Sequence, residues 1–161
     1  MDELVRRATG ADIADLTRLE ALARDGIVGV RGGDLRLQEC SPILDWPTLI
    51  DAEDTVVLVG TLDDSVVAFM VMTMQPTRGF ISHVYVELEA RELGLGDTMV
   101  EQAIDAVRSE GLDGIESVAL PGDRETKNLF ERAGLTARKL TVYKSLTTAI
   151  TPEAGTERET S

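Results

Sequence analysis

Three strand-like runs follow one another between residues 55 and 87, and this succession constrains the fold more than any other feature. "TVVLVG" and "SVVAFMVMTMQ" are rich in β-branched residues and meet through the turn-forming "TLDDS". "RGFISHVYVE" comes next. Strands adjacent in sequence and joined by short turns pair antiparallel. Met70, Met72 and Met74 recur at a spacing of two, which marks one strand face in the core. Directly afterwards the period changes. Met99, Ala103 and Val107 share one helical face, with Val100 and Ile104 beside them, and Gly111 ends that helix. "GIESVAL" reads as a further strand, so the unit spanning residues 80–120 implies one parallel pair.

The flanks extend this pattern. "ELVRRAT" reads as a short first strand. Thr9 and Asp12 have capping-box spacing, which predicts a helix from about Gly10 with Ile13, Leu16, Leu19, Leu22 and Ala23 on its apolar stripe. "GIVGVRGGD" holds four glycines and reads as a bend; "SPILDWPTLID" reads as a short helix or broken segment on the core. "PGDRETKNLFERAG" is a capped helix, and "ARKLTVYKSL" reads as a final strand. The expected fold class is α+β: a mixed, mostly antiparallel sheet with helices on both faces. One domain is expected over residues 1–146, with a disordered polar tail at 147–161.

Charge and composition narrow the function. The formal net charge is −13, from 29 acidic and 16 basic residues. Phosphate backbones are repelled by such a chain unless a basic patch compensates, and the densest basic stretch is only "TARKLTVYK". No nucleic-acid partner is therefore expected. No apolar run approaches the roughly 18–20 residues of a membrane span, and "MDELVRRATG" lacks the apolar core of a secretory signal. With the lone Cys40 unable to form an internal disulfide, a cytoplasmic location without membrane association is expected. The single histidine, His83, cannot build a histidine metal cluster, so no metal is expected.

The junction between strand and helix reads "RELGLGDTMV". A helix that starts there leaves its first N–H groups without partners, and its dipole adds about half a positive charge. Glycines let an anion approach those amides, which suits a phosphate or pyrophosphate. A bare Gly-x-Gly serves equally as a tight turn. A dinucleotide fingerprint is disfavoured because Met99 stands at the third glycine position, and no Gly-Lys-Ser/Thr follows for a Walker loop.

Taken with the order of elements, "RELGLG" resembles the GCN5-related N-acetyltransferase (GNAT) family, over about residues 2–146. In that family Arg/Gln-x-x-Gly-x-Gly/Ala wraps the pyrophosphate of acetyl-coenzyme A. "VRRATGADIADL" resembles its first strand and helix, and "NLFERAGL" its late helix. The resemblance implies direct acetyl transfer from acetyl-coenzyme A to a primary amine, on a small molecule or a peptide, in a ternary complex. It places the cofactor on Arg91, Glu92, Leu93, Gly94, Leu95, Gly96, Asp97 and Thr98. A backbone N–H near Val86 or Glu87 would polarise the carbonyl, and Asn128 is added to the cofactor contacts. Homodimers are frequent in the family.

Two departures bear on mechanism. Phe130 stands where the family often has a tyrosine that protonates the departing thiolate, and Asp123 replaces a frequent asparagine. An acyl-coenzyme A sensor or scaffold without catalysis is therefore the alternative reading. Strand alternation groups His83, Tyr85 and Glu87 on one face, opposite Ser82, Val84 and Val86. The polar row would face the acceptor. Glu87 is the leading candidate for the base, followed by His83, and Tyr85 or Tyr143 is a substitute proton donor. Trp46 and the glycine loop of residues 26–33 stand where the family forms its acceptor wall, and serve equally as core and loop. Cys40 has no histidine near it in sequence and is read as a packing residue.

Overall fold

The computed structural model describes residues 2–147. Five strands form one sheet in chain order: β1 (Glu3–Arg7), β2 (Thr55–Leu62), β3 (Ser65–Met74), β4 (Arg78–Val86) and β5 (Gly114–Ser117). The first four are antiparallel and β5 runs parallel to β4. The hairpin between β2 and β3 turns on Asp63 and Asp64, both at positive φ (47° and 69°). Two such residues give the turn a twist that matches its strands, and Asp tolerates the conformation.

Helices cover both faces. One face carries α1 (Ile13–Gly26) and α3 (Trp46–Asp51), which bury Leu16, Leu19 and Trp46 against Val57, Val59, Phe69 and Val71. Trp46 meets Phe69 edge to face, with ring centroids 5.9 Å apart. The other face carries α4 (Leu95–Ser109), whose Met99, Val100, Ala103 and Val107 pack on Val5, Leu58, Met70, Met72 and Ile81. The final helix α5 (Arg124–Arg132) lies beside α4, and its Phe130 belongs to the same cluster. A short helix, α2 (Gly33–Glu39), follows the glycine loop.

The caps explain the helix starts. Thr9 and Asp12 form the capping box, and Asp12 also takes two hydrogen bonds from Arg6 at 2.8 and 3.0 Å. Those bonds hold the buried Asp12 carboxyl below its ordinary proton affinity. Asp45 caps α3, and Asp123 caps α5 through the Thr126 N–H.

One expected strand is absent. Residues 137–146 form no ladder, and Leu140, Val142 and Tyr143 are 81, 90 and 74 % exposed. Strand propensity measures fit to a pleated, half-buried surface, and here the segment meets no neighbouring strand. The strand read from "GIESVAL" likewise ends at Ser117, where its pairing with β4 stops at Ile81. Helix α4 begins at Leu95, one residue before Gly96. The expected tail, apart from Thr147, lies outside the described residues.

Candidate active site

The cleft is opened by unequal strand lengths. β4 continues for five residues beyond Ile81, its last partner on β5, and the antiparallel ladder with β3 runs on to Val86. One edge of β4 from Ser82 to Val86 is thus left without a strand. A cavity of about 1020 Å³ occupies this opening, between the start of α4 and the loop end of α1 and α2.

At one end of the cavity is the glycine junction. Gly94 sits at φ 87°, a conformation that favours glycine, and gives α4 no side-chain cap. The first helical bond runs from the Thr98 N–H to the Gly94 carbonyl at 3.0 Å. The N–H groups of Leu95, Gly96 and Asp97 precede it and have no carbonyl within the helix to bind. An added Cβ on Gly94 would meet nothing within 4 Å, so the approach to these amides is open. Arg91, Glu92, Gly94, Leu95, Gly96, Asp97 and Asn128 all border the cavity. Leu93 instead packs against the core, and the Thr98 hydroxyl donates back to the Gly94 carbonyl. The Arg91 side chain is engaged: Nε donates to the Val86 carbonyl (2.9 Å), Nη1 meets Glu125 (2.7 Å), and the guanidinium lies 5.6 Å from the Tyr85 ring centroid. It staples the loop to β4 and α5.

Val86 and Glu87 separate cleanly. The Glu87 N–H is taken by the Val67 carbonyl at 2.9 Å. Successive N–H groups on a strand point to opposite edges, so the Val86 N–H is directed to the edge that β5 has left.

At the other end a polar cluster surrounds His83. A bulge places Ser82 between the pairs Val71↔His83 and Met72↔Ile81. The Ser82 hydroxyl is 2.8 Å from His83 Nδ1, and its carbonyl accepts from Arg36 Nη2 at 2.6 Å. His83 Nε2 lies 3.8 Å from Cys40 Sγ and 3.9 Å from Glu20 Oε2. Burial pushes the imidazole's pKa down to about 4, and the nearby Arg36 and Arg24 guanidiniums push the same way. Of the expected polar row, His83 and Tyr85 border the cavity. Glu87 does not; it follows the end of β4 and pairs with Arg18 at 2.7 Å.

Sequence reasoning missed Glu20, Arg24 and Arg36. Glu20 carried a signal: it is an acid inside the apolar stripe of α1, four residues after Leu16, and it is buried. The pairing of Cys40 with His83, 43 residues apart, had none. No group of three or more metal-ligating side chains occurs among the described residues, and none of their helices is long and apolar enough to cross a membrane.

Comparison with known proteins agrees with this fold. The family model described as "Acetyltransferase (GNAT) family" matches residues 20–135. No curated protein matches the sequence. Among solved structures, a mutant of the BH1408 protein from Bacillus halodurans superposes with a TM-score of 0.75 at 23 % identity, covering 89 % of this chain and 99 % of that one. Aminoglycoside antibiotic 6'-N-acetyltransferase AAC(6')-Ih from Acinetobacter baumannii gives 0.67 at 15 % identity, over 92 % and 100 %. Aminoglycoside N-acetyltransferase AAC(6')-Iy in complex with CoA gives 0.66 at 10 % identity, over 90 % and 100 %.

Proposed function

Since the chain belongs to the GNAT acetyltransferase family, we propose that it transfers an acetyl group from acetyl-coenzyme A to a primary amine. The observation that carries this reading is the open amide cradle at Leu95–Asp97, facing a cavity that runs along the unpaired edge of β4. The cradle fits a diphosphate: its amides are unpartnered, no side chain caps them, and the helix dipole favours negative charge.

Bound acetyl-coenzyme A supplies the acetyl group as an activated thioester. The Leu95, Gly96 and Asp97 amides hold its diphosphate, and Asn128 borders the same space. The Val86 N–H donates to the acetyl carbonyl oxygen, where negative charge grows during attack. Glu20 draws the ammonium form of the acceptor into the cleft, where it gives up one proton to solvent and becomes the neutral nucleophile. His83 is neutral at physiological pH; the Ser82 hydroxyl donates to the Val71 carbonyl at 3.4 Å, so its oxygen can accept from a proton on His83 Nδ1, 2.8 Å away. That leaves the lone pair on Nε2 to accept the proton released by the amine. One N–C bond replaces one C–S bond, and the proton finally resides on the coenzyme A sulfur. A thiol near the cysteine pKa of about 8.5 leaves with modest help. Tyr85, which borders the cavity, is the candidate donor to it.

One observation favours a second reading, in which the protein binds acyl-coenzyme A without turnover. Phe130, at the expected position of the tyrosine donor, is buried in the core and offers no proton. Thiol release from acetyl-coenzyme A over a broad amine panel separates the two. Turnover supports transfer; calorimetric binding with no turnover on any amine supports the sensor.

A further inference from the structure

Two guanidinium groups at the His83 end of the cavity have no carboxylate to neutralise them. Arg24, in the last turn of α1, donates through Nη1 to the Cys40 carbonyl at 2.6 Å. Arg36, on α2, donates through Nη2 to the Ser82 carbonyl at 2.6 Å. Among the described residues neither forms an ion pair, whereas Arg6, Arg18, Arg78, Arg91, Arg108 and Arg132 each hold a carboxylate; Arg7, Arg31, Arg124 and Arg138 are also unpaired, but they are exposed to solvent. In a chain with 29 acidic residues, carboxylates are in ample supply, yet none reaches these two. Both side chains are half-buried in the cavity wall. Both lie close enough to His83 to depress its proton affinity, and like charges gathered at one end of a cleft repel one another unless an anion joins them.

The acids bordering the cavity do not fill this need. Asp97 pairs with Arg132, Glu125 pairs with Arg91, and Asp123 caps α5; Glu92 is exposed on the loop before α4, at the other end of the cavity. Glu20 reaches the same end, but both its oxygens face the Ile43 N–H, at 3.2 and 3.0 Å, and its nearest ionisable neighbour is His83. The His83 end therefore presents two cations and one carboxylate, with a neutral imidazole between them. A guanidinium has five N–H donors, and the described contacts use one on each arginine.

We propose that the acceptor is a primary amine that also bears an anionic group, a carboxylate or a phosphate, bound by Arg24 and Arg36 while its amine faces Glu20 and His83. The inference rests on the acetyl-transfer reading and deepens it. Guanidinium forks bind carboxylate and phosphate oxygens in pairs, so the anionic group fixes the amine's orientation as well as its affinity. Polycations such as polyamines and aminoglycosides meet two positive charges in the same space and are disfavoured.

The test measures thiol release from acetyl-coenzyme A with 4-aminobutanoate, phosphoethanolamine, butylamine, spermidine and kanamycin. Melting shifts are recorded with coenzyme A alone and with each amine added. The expected result is a kcat/KM at least tenfold higher for 4-aminobutanoate or phosphoethanolamine than for butylamine, spermidine and kanamycin. The better of the two anionic amines tells carboxylate from phosphate. Arg24→Gln should raise KM for the anionic amine at least tenfold, and by a factor at least fivefold larger than any rise seen with butylamine. Arg36 also ties the Ser82 bulge, so Arg36→Lys, which keeps the charge, is paired with Arg36→Gln; KM should rise less in the lysine variant. Equal or better turnover of spermidine or kanamycin overturns the inference. So does a panel without turnover in which neither anionic amine adds to the melting shift given by coenzyme A. Absence of any shift with coenzyme A itself overturns the acetyl-transfer reading instead.

Discussion

His83 concentrates the residue-scale chemistry. Its imidazole is buried beside two guanidiniums, and its pKa falls from 6.5 to about 4. The unfolded chain thus binds more protons than the folded one between those values, and stability rises with pH across that window. Acidifying from pH 7 to pH 4 should remove roughly 3 kcal/mol through this group alone. Urea unfolding at a series of pH values checks this: His83→Asn should flatten the slope between pH 4 and 6.5, and an unchanged slope would place the cost elsewhere. His83→Gln should also lower turnover at least tenfold with unaltered coenzyme A affinity. Glu87→Gln should stay within about threefold of the parent rate, since that side chain lies away from the cavity in an ion pair that is partly exposed. A larger loss for Glu87→Gln than for His83→Gln would return Glu87 to the role of base.

At the scale of elements, the start of α4 and the start of α2 position the two ends of the cleft. Gly94→Glu should raise the coenzyme A dissociation constant at least tenfold in calorimetry, because a carboxylate would enter the anion path. Gly94→Asn, which tolerates the left-handed conformation, separates this effect from backbone strain. Unchanged affinity in the glutamate variant would remove the α4 cradle from cofactor binding. Gly33 opens α2 under a different constraint: a Cβ there would lie 1.8 Å from the Ile27 carbonyl oxygen. Gly33→Ala should therefore displace α2 and with it Arg36, lowering acceptor affinity more than coenzyme A affinity. Equal effects on both ligands would mean that the two ends of the cavity are not independently built.

Over the whole molecule, binding and stability are linked. A ligand at 100 times its dissociation constant adds about 2.7 kcal/mol to the native state. For a domain of this size that should raise Tm by roughly 5–10 °C, and scanning with excess coenzyme A measures it. A rise below 1 °C at millimolar coenzyme A would argue against the cradle. The acidic surface, net −13, gives no support to nucleic-acid binding, and its self-repulsion is relieved by salt.

Local chemistry was legible in the chain itself. Alternating and helical periods, the Thr9–Asp12 cap and the glycine junction are decided within a few residues, and β1 to β4, α1, α4 and the glycine turn that opens α4 could be read from them. The stretch at residues 137–146 has the composition of a strand, but a strand exists only where another offers its edge. The His83 cluster escaped for a related reason: Glu20, Cys40 and His83 come from three separate elements, and only the packing of α1 and the α2 end onto β4 brings them together. Burial and the charge around His83 are likewise properties of the assembled fold, so the sequence could name the imidazole but tertiary structure alone decided its protonation and its partners.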